Sequence, residues 1–168
     1  MSYMSRANES KYTFMDNGDI RIEGAVIIWS NFAGNPTKFN PQGGKRTFNL
    51  VLNEELADIL SDLHWNIKRR PPREEGDDPL IFTEVVLNME SKVPPEVYLV
   101  TQELSGKKRT PLTASTVGIL DRIQVVNFDL VLHPHVHDNG VKGYCNVLYA
   151  VQNDVTSYFA NKYNFATE

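Results

Sequence analysis

Three histidines, His133, His135 and His137, alternate along one stretch, so an extended backbone turns all three to the same side. With Asp138 and Cys145 close in sequence, they supply the donor types of a metal centre. Pro134 and Gly140 punctuate the same stretch and mark a hairpin end, where exposed histidines are common. Glu74, Glu75, Asp77 and Asp78 have the ligand chemistry of a Mg²⁺-dependent nuclease. They fall in one loop flanked by prolines, whereas a catalytic cage needs carboxylates held on rigid elements. Cys145 lies on the inward side of a strand pattern, where a thiol packs as a small hydrophobe. Gly43-Gly44-Lys45 lacks the first glycine and the Ser/Thr of a phosphate-binding P-loop. These patterns assign no catalytic residue, no metal and no cofactor, and the chain reads as a non-enzyme.

A different chemistry recurs. A single-stranded nucleic acid is held by cations that follow its phosphates and by aromatic faces that stack on its bases, each stack contributing roughly 1–3 kcal/mol. Phe32, Lys38, Phe39, Lys45 and Arg46 share one loop and the start of the strand after it. Trp65 precedes Lys68, Arg69 and Arg70, and Lys107, Lys108 and Arg109 form a third basic run. Tyr98 and Tyr144 take outward positions in strands whose inward set is already aliphatic. Each has a plainer reading: Trp65 as a core plug behind a helix, Phe32 and Phe39 as loop packing, the basic run as a solvated loop. Phe48, Phe128 and Tyr149 are core by alternation.

The elements that position these residues are mostly strands. Asp19 to Trp29 alternates Ile20, Ile22, Val26 and Ile28 with Arg21 and Glu23, the pattern of a half-buried strand. The loop 30–44 leads to a strand over Arg46–Leu52. Asn53 caps a helix on which Leu56, Ile59, Leu60 and Leu63 share one face. A short strand is expected over Trp65–Arg69, then the acidic loop, then strands over Leu80–Met89 and Glu96–Gln102 joined by a hairpin-like link. Leu104–Pro111 reads as a basic loop and Thr113–Asp121 as a short helix. Strands over Ile123–His133 and Tyr144–Val151 follow, the second turning Cys145, Val147, Tyr149 and Val151 inward. Without regular β-α alternation, the expected fold is mainly β: an elaborated OB-fold β-barrel with one or two short helices. It spans residues 20–152, after a polar arm over 1–19 and before an extension over 153–168 with a helix over Ser157–Phe165.

At 168 residues the chain suits one apolar core, and its single cysteine makes no internal disulfide. No apolar run is long enough to cross a membrane, and the first ten residues lack the apolar centre of a secretory signal, so a reducing, intracellular setting is expected. The net charge of −4 runs against nucleic-acid binding. Yet ten of the 17 Lys and Arg residues fall in the three basic stretches, the second extended to Arg73, while acids gather in Glu54–Asp58 and Glu74–Asp78. A basic groove on an acidic body satisfies both observations.

Asn31-Phe32-Ala33-Gly34, Phe39-Asn40 and Gly44-Lys45-Arg46-Thr47-Phe48 resemble a segment of phage-encoded single-stranded DNA-binding proteins. The similarity continues through Trp65-Asn66-Ile67-Lys68, Pro72-Arg73-Glu74-Glu75-Gly76-Asp77 and Leu120-Asp121, and covers about residues 26–151. It implies an OB-type protein that coats single-stranded DNA with little sequence preference during phage replication or recombination, in the cytoplasm of the infected host. It also carries over Phe39, Lys45, Arg46, Trp65 and Lys68 as binding positions. Replication or recombination proteins and further copies of the chain are the other expected partners. Many such proteins recruit partners through an acidic C-terminal tail; here residues 161–168 hold one acid and two aromatics. The competing expectations are a metal-dependent nuclease and a structural or interaction protein of the phage particle.

Overall fold

A computed structural model describes residues 2–152; the expected C-terminal extension and its helix over Ser157–Phe165 lie outside the described residues. The chain opens with a short helix, α1 (Tyr3–Ala7), capped by Ser2, whose Oγ accepts the Ser5 N–H at 3.1 Å. β1 (Lys11–Phe14) then pairs antiparallel with β2 (Ile20–Asn31). The N-terminal stretch thus lies against the sheet and core. Met4 and Ala7, three apart and so on one helical face, are buried in the main core.

β3 (Thr47–Val51) buries Phe48 and Leu50, as its alternation requires. Asn53 caps α2 (Glu54–Asp62), its Oδ1 accepting the Leu56 N–H at 2.7 Å, an interaction contributing about 1 kcal/mol. β4 (Lys68–Arg70) and β5 (Leu80–Val86) follow, separated by the acidic loop. β6 (Glu96–Glu103) and β7 (Gly106–Leu112) form a hairpin, so the basic run Lys107-Lys108-Arg109 lies on a strand and not in a loop. A 3-10 helix (Val117–Asp121) leads into β8 (Val125–His137) and β9 (Gly140–Gln152). Both last strands run further than their apolar alternation, because the turn between them is confined to Asp138 and Asn139.

The pairings close on themselves. β2 pairs with β3, β3 with β5, β5 with β9, β9 with β8, and β8 with β2. All are antiparallel except β5–β9, which is parallel. Taken in chain order, the five strands of this ring follow the sequence first, second, third, fifth, fourth, an OB-like topology. β6 does not pair with β5, so the link over residues 90–95 is no hairpin; β6 instead joins β9 in parallel beyond β5 and carries β7 as an outer edge. Phe48, Leu52, Leu60, Ile81, Leu132 and Leu148 fill the ring.

Two irregularities decide which side chains face out. A shift between Val131 and Leu132 lets Cys145 point inward and then turns Leu148 and Ala150 inward. Tyr149, expected in the core, therefore faces out. Val126 is likewise exposed, after a shift between Val125 and Asn127. A one-residue slip exchanges the two faces of a strand.

Candidate nucleic-acid interface

A further irregularity lies in β2, where it pairs with β3. Ile28 stands opposite Asn49 and Asn31 opposite Thr47, so three steps on β2 meet two on β3. Within this bulge Trp29 takes a φ of 49°, a left-handed conformation that costs a non-glycine residue about 1–2 kcal/mol. The result is an indole half exposed on the outer face of the ring. Phe82 of β5 meets it edge-on at 5.1 Å, and the Arg70 guanidinium of β4 lies 4.6 Å from the ring centre. A flat ring fixed beside a cation can take a nucleobase.

Next to Trp29 the loop over residues 32–46 is held at both ends. Asp121, ending the 3-10 helix, accepts from Ser30 Oγ, the Phe32 N–H and the Ala33 N–H at 2.7–3.0 Å. At the far end Gly44 N–H donates to the Gly34 carbonyl at 2.7 Å, and Gly43, at φ 74°, sits where a Cβ would come within 3.0 Å of the same oxygen. Thr37 and Asn40 exchange backbone hydrogen bonds, which leaves Phe39 at the tip with 90% of its surface exposed. Lys38 Nζ lies 5.7 Å from its ring. Asp121→Ala removes three hydrogen bonds to one carboxylate and strands two backbone donors, so it should lower folding stability by about 1.5–3 kcal/mol, read from chemical denaturation.

Cations line the floor. Lys45 and Lys142 approach Glu84 of β5 at 3.8 and 2.8 Å, and Lys68 also acts on it. Burial pushes the Glu84 carboxyl up, but the Lys142 hydrogen bond and the charges of Lys142, Lys45 and Lys68 outweigh it and hold it below the ordinary carboxylate value. The stability that this lowering supplies is present above the unfolded carboxylate range and is lost as pH falls through the folded value. Glu84→Gln should remove that acid-side contribution. It should also tighten single-strand binding about two- to five-fold at low salt, because three lysines lose their competing anion. Titration of the variant against oligo-dT checks this.

Beyond Lys142, the β8–β9 hairpin adds a ladder of rings. His135 stacks on Tyr144 at 4.5 Å, and His137 lies tilted against His135 at 4.6 Å. His133 instead pairs with Asp19, Nδ1 to Oδ1 at 2.6 Å. Among the described residues no three His, Cys, Asp or Glu side chains converge as metal ligands would. Cys145 is buried, which pushes its thiol up to about 12.

Three clefts join these residues into one track. The largest, about 640 Å³, lies between Trp29, Phe39, Lys45, Asn49 and Glu84. A second, about 510 Å³, shares Trp29, Asn49 and Glu84 and reaches Lys68 and Arg70. A third, about 320 Å³, shares Lys45 and reaches Lys142, His137 and Tyr144. The track thus runs from β4 across Trp29 to the β8–β9 hairpin.

Of the residues expected from sequence, Phe39, Lys45, Lys68, Arg70 and Tyr144 line these clefts, and Lys38 lies beside Phe39. Phe32 does not: it is 1% exposed and packs against Phe48 and Phe128, because Asp121 pulls its backbone inward. Trp65 is also core, wedged against Gly143, where a Cβ would come within 2.7 Å of the indole. Arg46 borders the third cleft but is 9% exposed and spends its guanidinium on Glu90 and the Ala114 carbonyl. Arg69 borders the second cleft, but its guanidinium pairs with Glu54 and Asp58 of α2. Tyr98 and the run Lys107-Lys108-Arg109 sit apart, on the β6–β7 hairpin. Trp29, Lys142 and His137 also line the clefts and were not expected to bind. Trp29 carried a signal, being out of phase with the buried Ile28.

The family model described as "Putative phage ssDNA-binding domain" matches residues 9–162. No curated protein matches the chain. Among solved structures, the single-stranded DNA-binding protein from bacteriophage Enc34 in complex with ssDNA aligns at 11% identity and a TM-score of 0.49, over 85% of this chain and 91% of that one. A second structure of the single-stranded DNA-binding protein from bacteriophage Enc34 aligns at 10% identity and a TM-score of 0.47, over 85% and 84%.

Proposed function

The chain belongs to the phage ssDNA-binding domain family, and from that premise we propose that it binds single-stranded DNA along the outer track from β4 to the β8–β9 hairpin. It coats strands exposed during phage replication or recombination, in the cytoplasm of the infected bacterium, with little sequence preference and without cutting them. The observation that carries this reading is the continuity of three clefts lined by rings and cations together: Arg70, Trp29, Phe39, Lys45, Lys142 and Tyr144. Stacking on Trp29 and Phe39 accepts any base, because every base has a π-face. Unpaired bases are required for it, so duplex DNA satisfies only the phosphate contacts.

Fluorescence anisotropy with labelled oligo-dT tests the proposal. Sub-micromolar binding at low salt, falling steeply as salt rises and weaker for duplex of equal length, is the expected result. No retention of the oligonucleotide at low salt contradicts it. Prolonged incubation of the complex with Mg²⁺ or Mn²⁺ should leave the strand at full length, and shortened products would point to a nuclease instead.

A further inference from the structure

The β6–β7 hairpin lies outside the ring, and its outer face repeats the chemistry of the track. Cross-strand partners share a face, and Tyr98 stands opposite Tyr149 on one side and Pro111 on the other, while Val100 stands opposite Arg109 and Gln102 opposite Lys107. Tyr98, Tyr149, Arg109 and Lys107 therefore occupy one side, and Lys108 the other. The Tyr98 and Tyr149 rings lie 4.9 Å apart, and the Arg109 guanidinium lies 4.4 Å from the Tyr98 ring centre. Arg109 Nη1 donates to Tyr149 Oη at 3.0 Å, which fixes the stack. Glu96 is on the same face and acts on Arg109. Asp129, opposite Tyr149 on β8, is engaged by the Gly24 N–H at 2.9 Å.

This cluster is connected to the track by a single strand. Tyr144 and Tyr149 both lie on the outer side of β9, five residues apart, a separation of roughly 16 Å at strand rise. We propose that the Tyr98–Tyr149–Arg109 stack with Lys107 is a second station for the same single strand, which leaves the groove past Tyr144 and continues along β9 onto the β6–β7 hairpin. The proposal rests on the reading of the groove given above and extends its length. A planar guanidinium held against a tyrosine offers one face to a base and its free N–H groups to a phosphate.

Two oligo-dT strands, of about 6 and about 16 nucleotides, bracket the site sizes of single OB-type folds. The double variant Lys107→Gln/Arg109→Gln should bind the short strand as the wild type does. On the long strand its affinity should fall, and the slope of log K against log salt should become shallower by about 1.4, two phosphate contacts at about 0.7 each. Arg109→Lys keeps the charge and loses the plane, so it should retain the salt slope while binding the long strand about five-fold or more weakly. Unchanged affinity of the double variant for the long strand overturns the second station and leaves the groove intact. An equal loss on both lengths, at an unchanged melting midpoint, overturns it as well, because the hairpin would then act inside the groove. Wild-type protein that binds neither strand removes the groove reading itself, and the station with it.

Discussion

The double variant Trp29→Ala/Phe39→Ala binds oligo-dT at least about 30-fold more weakly than the wild type at every salt concentration. Two stacks at roughly 1–3 kcal/mol each amount to about 2 kcal/mol or more, and 1.4 kcal/mol is tenfold. The salt slope stays nearly unchanged, because no phosphate contact has been removed. Phe39, 90% exposed at a loop tip, contributes almost nothing to the core. Its removal leaves the melting midpoint in place, whereas Trp29→Ala also releases contacts to Phe82 and Arg70. The single variants separate the two effects. A parallel loss of duplex binding would show that the rings support the groove and do not stack on bases.

The second large effect is electrostatic. Replacing Lys45, Lys68 and Lys142 together by glutamine should flatten the salt dependence by about 2 in log K against log salt, three contacts at about 0.7 each. Affinity is then roughly 100-fold lower near 0.1 M and converges on the wild type near 1 M. Glu84 adds to the loss, because Lys45 and Lys142 no longer screen its carboxylate from phosphates. Arg70 is left in place, since it also holds Trp29. An unaltered slope would mean that these lysines face solvent and not the polynucleotide.

Much of the scaffold is readable from alternation alone. Ile20, Ile22 and Ile28 on β2, and Phe48 and Leu50 on β3, turn inward as a period of two requires. Asn53 caps the helix it precedes. What alternation cannot register is a bulge, since one extra residue reverses every face beyond it. That is why Tyr149 faces out, and why Trp29 reaches the groove through a conformation no propensity favours.

The site is legible where a side chain answers only to its neighbours in sequence. Phe39 and Lys38 sit on a loop tip with nothing distant to claim them. Phe32, seven residues earlier, is claimed by Asp121, 89 positions away. Arg46 is claimed by Glu90 and Ala114, 44 and 68 positions away. Cations of equal charge in one short run thus separate into structural and available ones, and only the folded pairing distinguishes them.

Intrinsic tryptophan fluorescence during an oligo-dT titration tests the central claim most directly, because a base stacked on Trp29 quenches an exposed indole while Trp65 remains buried. Emission should fall to saturation with single-stranded DNA at low salt, recover as salt is raised, and fail to respond in Trp29→Phe protein that still retains the strand. Quenching that persists in Trp29→Phe, or bound DNA that leaves wild-type emission untouched, would place the polynucleotide somewhere other than this groove.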